Sequence, residues 1–333
     1  MKSKFLALLL MVLMVVTTSA SAYAGFDVYD YEKDVDYAYR VAQVFLKNAD
    51  KSVAIDNPIL LENLKGNVEA VIFDMEEGGY IIVNINDLSI PEICFDGKNP
   101  YIGCENPAYN GPLSYLRREG NAYYYLSNNE LFFETDSEIY EKQPLEDKDG
   151  YINSLLKDDK KRSRNRVVTK YLNHQPENWS YNTDDFCGAL ACAICLRYYH
   201  DYVDSNYVSS LFIWEKDLTT LMRGYVGWGS TNQEDLVTGL NKYFSDKEIN
   251  NRAYHSGNRF DYNIIMNTVN RNRPAIVAIH NDTYRDHWLI VWGYHYKTSR
   301  NEKYVIVVDG HGTAEVWISV SDNVLREIVY FNK

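Results

Sequence analysis

The chain has 333 residues, 46% of them hydrophobic, and a net charge of −12, which excludes a disordered chain and argues against nucleic acid as a partner. Residues 1–160 hold 14 Lys+Arg against 27 Asp+Glu, a net of −13, and residues 161–333 hold 20 against 19, a net of +1. That length and that break in charge predict two domains.

The first residues, MKSKFLALLLMVLMVVTTSASAYAG, read as a basic n-region, an apolar run and a small-residue cleavage site, so residues 1–24 are expected to be a signal peptide cut after Ala24. The run falls short of the about 20 apolar residues a membrane span needs. No cysteine stands at its cleavage region, so the expectation is a secreted, extracellular protein without a membrane anchor.

Residues 25–156 form the acidic N-terminal domain, with mixed α and β patterning. The stretch DVDYAYRVAQVFLKN places Val35, Ala38, Val41, Ala42 and Phe45 on one helical face. The stretch VEAVIFDMEEGGYIIVNIND is two β-rich runs around Glu-Glu-Gly-Gly, a hairpin signal, and NAYYYLSNNELFFET repeats it around Ser-Asn-Asn. Cys94 and Cys104 stand in a loop-like stretch, where an exported protein can close a local disulfide. No catalytic or metal spacing occurs in this half. The basic run KDDKKRSRNR, residues 157–166, reads as a solvated linker and an accessible cleavage site.

Residues 167–333 carry the candidate chemistry. Asp184 and Asp185 are acceptable N-caps, and from Cys187 to Tyr199 the pattern is that of a buried helix with Cys187 in its first turn. A helix N-terminus stabilises a thiolate, which favours a nucleophilic role for Cys187. Cys192 and Cys195, set among Ala, Ile and Leu, read as small buried hydrophobes. A thiol nucleophile needs a base and an orienting group. Three strands are predicted at 273–280, 286–296 and 303–312; His287 begins the second and Asp309 ends the third, so an antiparallel pairing brings them side by side. His280 and His311 lie near the same edge as rival bases, and His295, at the far end of its strand, reads as solvated. His280, His287 and His311 have no tight ligand spacing, so neither a metal nor another cofactor is expected.

The blocks DDFCGALACAICLRYY, RPAIVAIHNDTYRDHWLIVWGYHY and VVDGHG resemble those of papain-like cysteine peptidases of the bacteriocin-processing, leader-peptidase type. The resemblance implies an α+β fold with a central helix packed on an antiparallel sheet. It also implies Cys187 as nucleophile, His287 as general base and Asp309 as orienting acid. The family's oxyanion glutamine is absent at its usual position, where Tyr181 stands; Gln175 is the substitute and Asn182 the runner-up. The stretch GGYIIVNINDLSIPEICF is weakly similar to the pro-segments of streptopain-type peptidases, which implies a zymogen whose own N-terminal domain is a partner alongside a protein or peptide substrate. Expected alternatives are a transglutaminase-type acyl transferase and a non-catalytic binding or adhesion protein on the same fold.

Overall fold

The computed structural model describes residues 31–49, 51, 53–132, 142–160, 167–180, 186–229, 231–281, 284–313, 315–322 and 324–332. The expected signal peptide, residues 161–166 of the expected linker, and Tyr181, Asn182, Asp184 and Asp185 lie outside them.

Helix α1 (Glu32–Asn48) has Glu32 and Asp34 in its first turn and Lys47 in its last, which suits the helix dipole. Its expected apolar face is inward: Ala38, Val41, Ala42 and Phe45 are buried, and Val35 packs on the core. Strands β1 (Ile55–Glu62), β2 (Val68–Met75) and β3 (Tyr80–Asn84) form an antiparallel meander that includes the hairpin expected at Glu-Glu-Gly-Gly. β4 (Glu92–Cys94) pairs with β3. β5 (Pro107–Tyr109), β6 (Tyr115–Glu119), β7 (Ala122–Tyr125) and β8 (Leu131–Phe132) extend the other edge, and β7 with β8 is the second expected hairpin. Helix α2 (Lys148–Lys160) lies against α1 through a 2.9 Å hydrogen bond from the Tyr37 hydroxyl to Asp149. Residues 157–160 therefore finish a helix, where a linker was expected.

The second half runs β9 (Val167–Tyr171), α3 (Cys187–Tyr202), α4 (Glu215–Val226), α5 (Gln233–Asp246), β10 (Ala253–His255), α6 (Tyr262–Asn270), β11 (Ala275–Asn281), β12 (Tyr284–Lys297), β13 (Glu302–Val308), β14 (Val316–Ser319) and β15 (Leu325–Phe331). The three strands read from the sequence are β11, β12 and β13, and they pair antiparallel in that order. The fold is α+β, with α3 a buried central helix packed against β11 and β12, the arrangement expected of a papain-like domain. Among the described residues, no helix is long and apolar enough to cross a membrane.

The two halves share one sheet. β14 pairs with β4, with Val316 opposite Cys94, Trp317 opposite Ile93 and Ile318 opposite Glu92, so the order runs β13-β14-β4-β3 without a break. Glu92, fully buried at this junction, accepts from the hydroxyls of Tyr80 (2.7 Å) and Tyr115 and from the Leu113 N–H (2.7 Å). The side chains join as the strands do. Phe45 of α1 packs edge-on against Tyr304 (5.2 Å between centroids) and Trp317 (6.2 Å), and tilts against His295 (5.9 Å).

His295 corrects an expectation. It is 1% exposed, with Nδ1 2.8 Å from the Thr169 hydroxyl, and burial pushes its pKa down to about 4. Helix α1, packing across from the other half, covers a strand end that the sequence of β12 alone leaves in solvent. Cys94 and Cys104 are both free thiols, and the local disulfide does not form.

Candidate active site

Helix α3 begins at Cys187. Its N-cap is Phe186, where an Asp184 or Asp185 cap was expected, and Phe186 offers no side-chain cap. Cys187 is half-buried, whereas Cys192 and Cys195 are buried among the core residues of α3. Burial raises both of those thiols well above the usual range. Only Cys187 combines access with the positive end of the helix dipole.

His287 is the fourth residue of β12, opposite Ile279 of β11. On its other side the β12–β13 register pairs Ile290 with Val308, and continuing past Val308 brings Asp309–His311 alongside His287. The His287 ring meets Asp309 there, at 2.7 Å from Nε2 to the backbone carbonyl oxygen. A carbonyl only accepts, so Nε2 carries the proton in the neutral ring and Nδ1 is the basic nitrogen. The Asp309 carboxylate is turned onto its own loop, where Oδ1 accepts from the N–H groups of His311 (2.8 Å) and Thr313 (3.0 Å). Burial raises the Asp309 carboxyl, opposed by the charge of His311 and those N–H donors. Asp309 thus fixes the turn that aims its carbonyl.

The rival bases part company here. His311 stacks on His287, with centroids 5.0 Å apart and planes 18° apart, and is exposed. Ile279 pairs with His287 on one face of the sheet, so His280, the next residue, points to the other and is exposed. His287 itself is 3% exposed, and burial, aided by the charge of His311, pushes its pKa down to about 3. The sequence alone suggests a helix-start thiolate beside His287. Removal of the imidazole from water favours the neutral pair instead.

Two contact routes tie His287 to the start of α3. A Cβ placed at Gly310 would lie 3.5 Å from Leu190 Cδ2 and 3.9 Å from His287 Cε1, and Leu190 stands one helical turn on from Cys187. On the other side, a Cβ at Gly188 would fall 2.1 Å from Thr231 Oγ1, while the Thr231 carbonyl accepts from Trp288 Nε1 at 3.0 Å. Glycine after the cysteine is therefore set by crowding. Thr231 is held by the capping box of α5, in which Asn232 accepts from Asp235 N–H and Asp235 from Asn232 N–H, each at 3.0 Å.

The segment leading to Cys187 lies on the same side. Asn178 Nδ2 donates to the Gly312 carbonyl at 3.3 Å, and the Ser180 N–H donates to Glu215 at 2.6 Å. Gln175 does not share this placement. It is exposed and follows His174, whose ring stacks 4.1 Å from Tyr202, the last residue of α3. Sixteen helical residues span about 22 Å, so the residue before Gln175 packs at the opposite end of α3 from Cys187. Asn178 is the amide side chain of this segment at the 310–312 turn. No local signal marks Asn178 or Thr231, because neither carries a recognisable spacing to the cysteine.

No metal-binding group of three or more His, Cys, Asp or Glu side chains occurs among the described residues. Residues 170–330 match the model of the Peptidase_C39 like family, which supports a cysteine peptidase of the bacteriocin-processing kind. No curated protein matches the chain.

Proposed function

We propose that the chain is an exported cysteine peptidase in which Cys187 is the nucleophile and His287 the general base. Support comes above all from the 2.7 Å contact of His287 Nε2 with the Asp309 carbonyl, which leaves Nδ1 as the basic nitrogen. Nδ1 takes the thiol proton as Sγ adds to the peptide carbonyl carbon. The oxyanion forms at the start of α3, where the Cys187 N–H and the helix dipole stabilise it. The imidazolium then returns its proton to the leaving amine, and the C–N bond breaks to give a thioester. Water, losing a proton to Nδ1, attacks that thioester; the C–S bond breaks to release the carboxylic acid, and the imidazolium returns its proton to Sγ to restore the thiol.

Burial of His287 favours its neutral form, so the imidazole is ready to take the thiol proton as Sγ attacks. Asp309 positions the imidazole through its backbone carbonyl and holds that carbonyl with its own carboxylate. The expected pro-domain is part of the catalytic half's sheet and aromatic core, so latency by simple departure of that region is disfavoured.

The test is hydrolysis of a mixed-sequence pool of quenched fluorogenic peptides by the full chain without residues 1–24. Wild type is expected to cleave, and Cys187→Ala and His287→Ala to lose at least about a hundredfold. Cleavage undiminished in Cys187→Ala overturns the proposal.

A further inference from the structure

The residue before the nucleophile is the base of a three-layer stack. Phe186 is 7% exposed, and the Arg223 guanidinium of α4 lies 3.0 Å from its ring centroid. On the far side of that guanidinium the indole of Trp228 lies 4.0 Å away, centroid to Cζ. Arg223 Nε is buried without a hydrogen-bond partner, and the two rings pack on its guanidinium. Trp228 is nonetheless 75% exposed. Its flanking glycines, Gly227 and Gly229, have φ of +110° and +105°, and a Cβ at either would meet nothing within 4 Å. Backbone conformation, not crowding, requires glycine there, and the loop lifts the indole outward. The loop ends at Thr231, against Gly188. An exposed indole is thus pinned on its inner face beside the first residue of α3.

We propose that Phe186, Arg223 and Trp228 form a specificity subsite in which the outer face of Trp228 receives a large apolar side chain, aromatic or leucine-sized, of the peptide substrate near its scissile bond. The inference rests on the assignment of Cys187 as nucleophile. An indole offers a wide, rigid apolar face, and leaving it in water is unfavourable until a ligand covers it. The guanidinium on the inner face decides between occupants. Its fixed positive charge repels a lysine or arginine side chain from the outer face of the same ring, whereas an apolar side chain meets no such opposition. The subsite therefore selects apolar over cationic residues, and Arg223 sets the second half of that choice.

The experiment varies one residue at a time, Phe, Leu, Ala or Lys, at each of the positions on both sides of the bond cleaved in a quenched peptide. At one position wild type is expected to prefer Phe and Leu over Ala by roughly tenfold in kcat/KM and to disfavour Lys. Trp228→Ala is expected to bring kcat/KM for the Phe and Leu peptides down to that of the Ala peptide, and Arg223→Gln to raise turnover of the Lys peptide relative to the Ala peptide. Preferences unchanged in Trp228→Ala overturn the subsite and leave the peptidase standing. A second measurement separates the two readings: affinity of a labelled Phe peptide for Cys187→Ala, with and without Trp228→Ala. If wild type cleaves nothing, weaker binding in the double variant still supports the subsite, and equal binding overturns it.

Discussion

The imidazole of His287 is held by the backbone carbonyl of Asp309, at 2.7 Å, while the Asp309 carboxylate binds the N–H groups of His311 and Thr313. Asparagine keeps an acceptor oxygen for those two donors and leaves the carbonyl in place. Asp309→Asn is therefore expected to lower kcat/KM by less than about tenfold, and Asp309→Ala, which frees the turn, by about a hundredfold. A loss in Asp309→Asn as large as in His287→Ala would mean that the carboxylate charge acts on the imidazole directly.

The burial of His287 sets the acid side of the pH profile. A general base works only when neutral, so activity falls as pH drops through its folded pKa. That value is pushed down from the ordinary 6.5 to about 3. The acid limb of kcat/KM is accordingly expected well below pH 6.5, as far down as the fold survives. His311 contributes to the depression by its charge. His311→Gln should move the limb to higher pH and retain turnover; abolished turnover would make His311 the base.

Acid should also weaken the fold. His295, with its pKa lowered to about 4, stays neutral in the folded chain while the unfolded chain takes up a proton below its ordinary value. Stability is thus full above about pH 6.5 and lost progressively toward pH 4, by up to about 3 kcal/mol from this residue. His295→Phe, an apolar replacement within the Phe45, Tyr304 and Trp317 cluster, should flatten the fall of Tm between pH 7 and 4. An unchanged slope in the variant would place the acid sensitivity elsewhere.

The shared sheet predicts the fate of a nicked chain. Separating the halves breaks the β4–β14 ladder and strips Phe45 from Tyr304 and Trp317. Limited trypsin cleavage within residues 161–166 should give two pieces that elute as one species in native gel filtration and part only in denaturant. Elution as two species without denaturant would restore the idea of a departing pro-domain.

Much of the site was legible because its signals are local. The apolar run after Cys187 and the β-rich runs around His287 and Asp309 fix three elements, and a short connection between β12 and β13 makes their pairing antiparallel. Side-chain direction at a strand end is not local. Whether Asp309 offers its carboxylate or its carbonyl depends on the turn through Thr313, which two left-handed glycines shape at φ of +75° and +93°. The pairing of Ile93 with Trp317 joins strands too far apart in sequence for periodicity to link them, so the boundary read from charge gave no warning of a continuous sheet. The burial of His295 is non-local for the same reason: a ring that covers it belongs to α1.

The central claim, a nucleophilic Cys187, has a direct measurement with its controls built into the chain. The full chain without residues 1–24 is treated at neutral pH with a peptidyl epoxide, and each cysteine is mapped by mass spectrometry. Cys104 is the stringent control, because it is partly exposed, like Cys187, yet burial pushes its thiol up to about 11. Labelling is expected at Cys187 alone, to be lost in His287→Ala, and to spare Cys94, Cys104, Cys192 and Cys195. Labelling of Cys104 as fast as Cys187, or no labelling of Cys187 in the folded chain, would contradict the account.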